Sequence, residues 1–270
     1  MNISVVIPTY NRYDTLKRAI GSVLAQTYKS KEIIIIDDGS TDDTSKIQID
    51  YPHVKYIYQD NMGVSGARNL GIESSTYEYI AFLDSDDQWH KDKLLEHVEF
   101  HKQHPNILIS YTDENWVRNA KEVQVPKKFK KYGGYIFERC LSHCIIAPSA
   151  TMMHKDLLSH VGVFDEGLEV CEDYDLWLRV ALNHKIGLID KKLITKYGGD
   201  KDQLSMKFWG MDRFRVKALE KLLSLKTQKK DLIIDELRKK YTLLLKGAIK
   251  YDKIQDIKEY EKKLERLKIE

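Results

Sequence analysis

The sequence predicts an α/β protein: a central, mostly parallel sheet flanked by helices, with a C-terminal α-helical appendage. Three observations predict it. Short β-branched runs alternate with stretches of helical period through the first 112 residues. The run EIIIIDD is apolar without alternation, as a strand covered on both faces must be. Beyond about residue 205 the composition turns basic, with leucines at helical spacing.

Taken in order, the strands are expected at Ile3 to Ile7, Glu32 to Ile36, Val54 to Tyr58, Tyr79 to Leu83 and Ile107 to Tyr111. Between the first two, residues 13–27 place Leu16, Ala19, Ile20, Val23 and Leu24 on one helical face. Residues 64–73 and 91–104 read the same way. Short strands alternating with helices of this length imply parallel βαβ units with right-handed crossovers. After residue 112 the alternation fades. Segments 115–125 and 145–154 read as strands or irregular pieces around a short helix from Tyr135 to Ser142, and EDYDLWLRVALNH is a stronger helix with Trp177 assigned to its core side. The tail reads as two or three amphipathic helices with breaks near Thr227 and Asp252. This divides the chain into residues 1–204, with halves 1–112 and 113–204, and an extension over 205–270.

Bulk properties exclude several classes. A net charge of +3 over 270 residues does not point to nucleic acid. No apolar stretch approaches the length of a membrane span, and MNISVVIPTYNR reads as a strand rather than a signal peptide. Cys140, Cys144 and Cys171 are odd in number with no CxxC, which suits small buried hydrophobes in a reducing, cytoplasmic setting. The charge is uneven: residues 201–270 carry 20 Lys and Arg against 12 Asp and Glu, about +8, leaving about −5 for the rest. The tail could therefore pack on the main domain, form a homodimer, or rest peripherally on the inner face of a membrane. Packing or self-association is the favoured expectation.

The chemistry is expected at strand ends, where the loops of an open parallel sheet converge. PTYNR, DDGSTDDT and DSDD follow the first, second and fourth strands, and GVSGARN opens the third helix. Asp84, Asp86 and Asp87 lie within four positions and would repel one another unless a positive charge sits among them. A hard divalent cation bridging an anionic ligand would supply it. Asp37 and Asp38 before Gly39 are by themselves ordinary turn residues. Glu172 and Asp173 are by themselves ordinary helix N-terminal acids. His97, His101 and His104 share a helical face without an HExxH pattern, and a solvated face is expected.

The motifs VVIPTYNR, IIIIDDGSTDDT, GVSGARNLGI, IAFLDSDD and CEDYDLWLRV, in this order over residues 3 to about 200, resemble family 2 glycosyltransferases of the GT-A fold. The resemblance implies transfer of a sugar, with inversion, from a nucleotide sugar, usually UDP-linked, to an acceptor hydroxyl. It makes residues 1–112 the nucleotide-binding half and 113–204 the acceptor half. It implies Pro8, Thr9 and Tyr10 around the nucleobase, Asp38 on the uracil or ribose, and Arg68 near the nucleotide. Asp84, Ser85 and Asp86 match the DxD motif, with Asp86 the ligand of Mn²⁺ or Mg²⁺, while Asp87 stays ambiguous. Asp173 matches the general base. The family often carries GGH where this chain has Gly198, Gly199 and Asp200, so Asp200 is a second candidate metal ligand, with Gln203 and Ser205 candidates to close over the diphosphate. Saccharide and lipid-linked acceptors in bacterial polysaccharide, glycolipid or glycan synthesis stay open. Two other classes compete with this reading: a haloacid dehalogenase-like phosphotransferase, which also opens on a strand and DxD, and a non-catalytic GT-A module that binds a nucleotide sugar.

Overall fold

The computed structural model describes residues 1–199 and 208–269. Nine strands form one sheet: β1 (Ile3–Thr9), β2 (Glu32–Asp38), β3 (Lys55–Gln59), β4 (Tyr79–Phe82), β5 (Gln88–Trp89), β6 (Ile109–Arg118), β7 (Lys121–Val123), β8 (Thr151–His154) and β9 (Gly187–Gly198). The order is β3-β2-β1-β4-β8-β6-β9-β5, with β7 hairpinned onto β6. The first four strands are parallel. Beyond β4 the sheet is mixed: β8 is antiparallel to both β4 and β6, while β9 runs parallel to β6.

The helices are α1 (Tyr13–Leu24), α2 (Ile47–Asp50), α3 (Gly63–Ser74), α4 (Lys93–Gln103), α5 (Phe137–Leu141), α6 (Lys155–Val161), α7 (Glu172–Asn183), α8 (Asp212–Leu223), α9 (Lys230–Lys250) and α10 (Ile254–Ile269). The α1 stripe is buried as expected, through Leu16, Ala19, Ile20 and Val23, while Leu24 ends exposed. Helix α3 lies against β1 and β2. It comes so close that a Cβ on Gly71 would stand 2.2 Å from Val6 Cγ1, so glycine sets the helix-to-sheet distance.

The chain runs outward from β1 to β2 and β3, then returns to add β4 on the other side of β1. The order therefore reverses between β1 and β4, and their C-terminal ends open a crevice there. PTYNR and DSDD both leave the sheet at that point.

Two expectations need correction. The twelve-residue strand β9 was not foreseen, because Asp190, Lys191 and Lys192 interrupt its apolar run. Its pairing with β6 shifts register around Thr112 to Glu114, which accommodates that polar stretch. Nor is the α4 histidine face solvated: His97 and His101 are buried and only His104 is exposed. His97 Nδ1 lies 2.7 Å and His101 Nε2 2.9 Å from Ser110 Oγ, and His97 Nε2 lies 3.1 Å from the buried Lys93 Nζ.

The tail packs on the domain. Leu219, Leu222, Ile233, Leu237 and Tyr241 are buried, and α8 lies against α7. Lys240, also buried, donates to Ser142 O and Asp212 Oδ1, each at 3.0 Å. The breaks fall at residues 224–229 and 251–253, close to Thr227 and at Asp252. Among the described residues no helix is long and apolar enough to cross a membrane.

Candidate active site

The crevice is built by three loops held in register. Gly39, at φ +85°, turns the chain after β2 where a side chain would strike the Asn61 backbone nitrogen. Asn11 then ties that loop to the end of β1: its Oδ1 accepts from Thr41 N at 2.7 Å, and its backbone N–H donates to Ser40 Oγ at 2.8 Å. Asp38 is fixed in turn, because Oδ1 accepts from Gln59 Nε2 at 2.6 Å and Met62 N at 2.8 Å. Asp37 serves the turn, accepting from Ser40 N at 2.9 Å and from the Tyr56 hydroxyl. Both members of the DD pair therefore hold the loops around them, Asp37 its own turn and Asp38 the segment leading into α3. Pro8 and Thr9 are buried at the end of β1, and Tyr10 is exposed beside them.

The DSDD loop hangs on Ser149. The Ser149 hydroxyl accepts from Asp84 N at 3.0 Å and donates to Asp87 Oδ2 at 2.6 Å, while its carbonyl accepts from Trp89 Nε1 at 2.8 Å. Its three carboxylates have different environments. Asp84 accepts from Arg68 at 2.7 Å; burial opposes its charge, but Arg68 overcomes that and holds its pKa down. Asp86 pairs with Arg12 at 2.9 Å, and its carbonyl accepts from Arg18 at 2.5 Å. Asp87 is driven well above the usual carboxylate range by burial, with the negative charges of Asp86 and Asp84 adding to it. Ser85 is buried between them.

The same Arg68 reaches across to the ED pair. It donates to Glu172 Oε1 at 2.6 Å and so joins the DSDD loop to the start of α7. Burial and the adjacent Asp173 charge raise Glu172 to about 7. Cys171, at φ +66°, turns the chain into that helix. Asp173 is partly exposed, and Cys144 Sγ lies 3.3 Å from its Oδ2. Thus Arg68, Asp84, Asp86 and Asp173 are brought together at the sheet's reversal point from the DSDD loop, from α3 and from the start of α7, while Asp38 lies at the end of the neighbouring strand β2. Two buried polar atoms among them, Thr9 Oγ1 and Arg68 Nε, find no hydrogen-bond partner among the described residues. Asp200, Gln203 and Ser205 lie outside the described residues.

The sequence model described as Glycosyl transferase family 2 matches residues 4–162. The chain belongs to this family. An uncharacterized glycosyltransferase of Rickettsia conorii is 39% identical over 194 residues, 71% of this chain and 32% of that protein. The chain spans about a third of the length of this relative. The Escherichia coli protein named UDP-Glc:alpha-D-GlcNAc-diphosphoundecaprenol beta-1,3-glucosyltransferase WfaP is 32% identical over 200 residues, 72% of this chain and 76% of that one. Among solved structures, S. aureus TarS 1-349 in complex with UDP-GlcNAc superposes with a TM-score of 0.71 at 22% identity, covering 88% of this chain and 71% of that chain. That likeness establishes the GT-A fold, as the motifs implied, and membership of the family sets aside the dehalogenase-like alternative.

One cation beside the DSDD loop carries no signal in the motifs. Lys196, on β9, lies among Glu114, Asp87, Asp84 and Asp173. Burial disfavours its ammonium, yet those acids, Glu114 foremost, outweigh burial and raise its pKa. Together with Arg12 and Arg68 it answers the repulsion within DSDD from the chain's own side chains. Spacing could not have found it, because the strand that carries it was not recognised. Tyr197 follows on the same strand, with the Arg18 guanidinium 3.8 Å from its ring centroid, which closes the wall beside Asp86.

The residues present fit a divalent ion of one kind. Asp84 is committed to the buried Arg68 and Asp87 is driven toward its neutral form, so Asp86 is the DSDD carboxylate that could serve as a ligand, with the ion taking the place Arg12 now holds beside it. Among the described residues no three His, Cys, Asp or Glu side chains form a closed metal cage. An ion held by a single carboxylate, with phosphate oxygens and water completing its shell, matches this donor set and the habits of Mg²⁺.

Proposed function

We propose that the chain transfers a sugar, with inversion, from a nucleoside diphosphate sugar, UDP-linked, to an acceptor hydroxyl. The linkage of Asp84 to Glu172 and Asp173 through Arg68 at the reversal point of the sheet, with Asp38 at the adjacent strand end, carries this reading. The complexes of TarS with UDP and with UDP-GlcNAc, and the UDP-Glc donor in the name of WfaP, support the choice of nucleotide. Asp38 accepts hydrogen bonds from the ribose or uracil, against the wall of Pro8, Thr9 and Tyr10. Arg68 keeps Asp84 and Ser85 in place beside it. Asp86 would hold Mn²⁺ or Mg²⁺, which supplies charge neutralisation to the departing diphosphate.

The reaction is a single displacement. The acceptor oxygen forms a bond to the anomeric carbon as the bond from that carbon to the phosphate oxygen breaks. The electron pair leaves with the nucleoside diphosphate, and the hydroxyl proton passes to the Asp173 carboxylate. A positioned base of this kind is worth about 10² to 10⁴ in rate. Asp173 suits the task, since it is partly exposed at a helix start while Arg68 engages its neighbour Glu172. The free cysteines fit a reducing, cytoplasmic setting, and a lipid-linked or saccharide acceptor fits the open acceptor side.

The test is twofold. Calorimetric titration with UDP should show tighter binding when Mn²⁺ is present, and Asp86→Asn should remove that difference. Asp173→Asn should bind UDP as the wild type does while losing transfer by about 10² or more. Transfer that persists in Asp173→Asn would refute the base. Binding of UDP-sugars without hydrolysis or transfer to any acceptor would favour the non-catalytic module instead.

A further inference from the structure

The three tail helices bury their leucine faces, and part of what they leave uncovered gathers at one end. The turn joining α9 to α10 and its flanks expose Ile249 (53%), Tyr251 (67%) and Ile254 (65%). Trp209, 57% exposed, stands beside them, with Lys253 Nζ 3.7 Å and the Arg213 guanidinium 3.8 Å from its ring centroid. Lys250 Nζ lies 5.3 Å from the Tyr251 ring centroid. Two aromatic and two aliphatic side chains are thus held in water among three cations, with Asp252 the acid within the turn. A folded surface seldom gathers such groups without a use for them.

We propose that this end of the bundle is a membrane-docking tip. It seats Trp209, Ile249, Tyr251 and Ile254 in the interfacial layer of an anionic bilayer, with Arg213, Lys250 and Lys253 at the headgroups. Trp and Tyr favour that layer because one part of the ring system is apolar and another is polar. Lys and Arg keep their charge in the headgroups while their stems lie along apolar surface. Each cation near an anionic leaflet strengthens partitioning by about fivefold. The charge asymmetry of the chain orients it the same way, tail toward the surface and acidic domain away. A second copy is the poorer occupant. A two-fold contact would bring two copies of the same net basic patch together, three cations and one acid from each.

The location gives the tip a purpose. Met211 O lies 3.9 Å from Cys171 Sγ, and Cys171 immediately precedes Glu172 and Asp173. Trp209 is two residues from Met211, no more than about 7 Å of chain. A surface held by the tip lies beside the acceptor side of the crevice. The proposal rests on packing and surface chemistry, and it stands or falls independently of the transfer reaction.

Co-sedimentation of the full chain with vesicles tests it. The wild type should sediment with phosphatidylcholine–phosphatidylglycerol vesicles and much less with phosphatidylcholine alone, and added salt should weaken it. The doubles Trp209→Ser with Ile254→Ser, and Lys250→Glu with Lys253→Glu, should each reduce partitioning by about tenfold or more. Lys239→Glu, elsewhere on α9, should not. Circular dichroism and thermal midpoints establish that the variants are folded. Equal sedimentation of wild type and folded variants would overturn the proposal. So would concentration-dependent dimerisation in the ultracentrifuge that the same substitutions abolish, without vesicle binding by the wild type.

Discussion

Lys196, Arg68 and Glu172 make the crevice an electrostatic unit in which no acid is isolated. Lys196 retains its charge because four carboxyl groups outweigh its burial. Removing it should weaken the compensation of those acids, although Glu114 keeps Lys131 and Asp84 keeps Arg68, at a cost of about 1–3 kcal/mol. Lys196→Met should therefore unfold at markedly lower urea than the wild type, with Lys196→Arg recovering most of the loss. An unchanged midpoint would show that the acids do not depend on this cation. Glu172 behaves oppositely, being raised to about 7 by burial and by Asp173. Between its ordinary pKa of 4.5 and about 7, the native state keeps a proton that the unfolded chain has lost. This contribution therefore weakens as pH rises through that window. Glu172→Gln, which cannot ionise, should gain stability relative to the wild type between about pH 5 and pH 8. Thermal unfolding across that range measures it, and a constant offset would contradict the assignment. Asp38, Asp84, Asp86 and Asp173 stand out in the sequence as candidates because each lies in a run whose order is distinctive. Lys196 does not, since a lysine between Thr195 and Tyr197 carries no signal until its neighbours in space are known.

Helix α4 shows how an element can look solvated and be buried. His97 and His101 are separated by one turn and resemble a polar stripe, yet they face β6 and share Ser110. Burial pushes His101 down to about 4. Below its ordinary value of 6.5 the unfolded chain takes up a proton that the native state refuses, so stability falls with pH until about 4. The advantage of wild type over His101→Gln in urea unfolding should shrink by about 2–3 kcal/mol between about pH 7.5 and pH 4.5. A gap independent of pH would mean that the imidazole is hydrated. Strand β9 is the complementary case. Three charged residues conceal its period, and only pairing with β6 and β5 identifies it. The α1 stripe and the β2 run were legible because their neighbours reinforce a single period.

At the scale of the whole molecule, ion pairs and a backbone hydrogen bond fasten the tail to the rest of the chain. Lys221 from α8 pairs with Asp165 at 2.7 Å and with Asp175 of α7 at 3.2 Å, and Lys229 donates to Leu182 O at 2.7 Å. These contacts fasten the tail to the elements just before and within α7, next to the proposed base. Deleting residues 208–270 would uncover the apolar side of α7 and leave Asp175 with Arg179 as its remaining ion-pair partner among the described residues. The truncated chain should therefore be insoluble or lack a cooperative transition, while the full chain melts in one calorimetric step. Two resolved transitions in the full chain would show an independent tail.

By itself the sequence determined the α/β class, the family, the placement of acids at strand ends and the breaks between the tail helices. These are written in local period and in short ordered motifs, which neighbours along the chain are enough to specify. Only the tertiary structure decided which acids are paired, which has its pKa pushed upward by burial, that Arg68 links DSDD to the start of α7, and that Lys196 stands among them. Such facts depend on burial and on distances between residues far apart in the chain, and a local pattern holds neither.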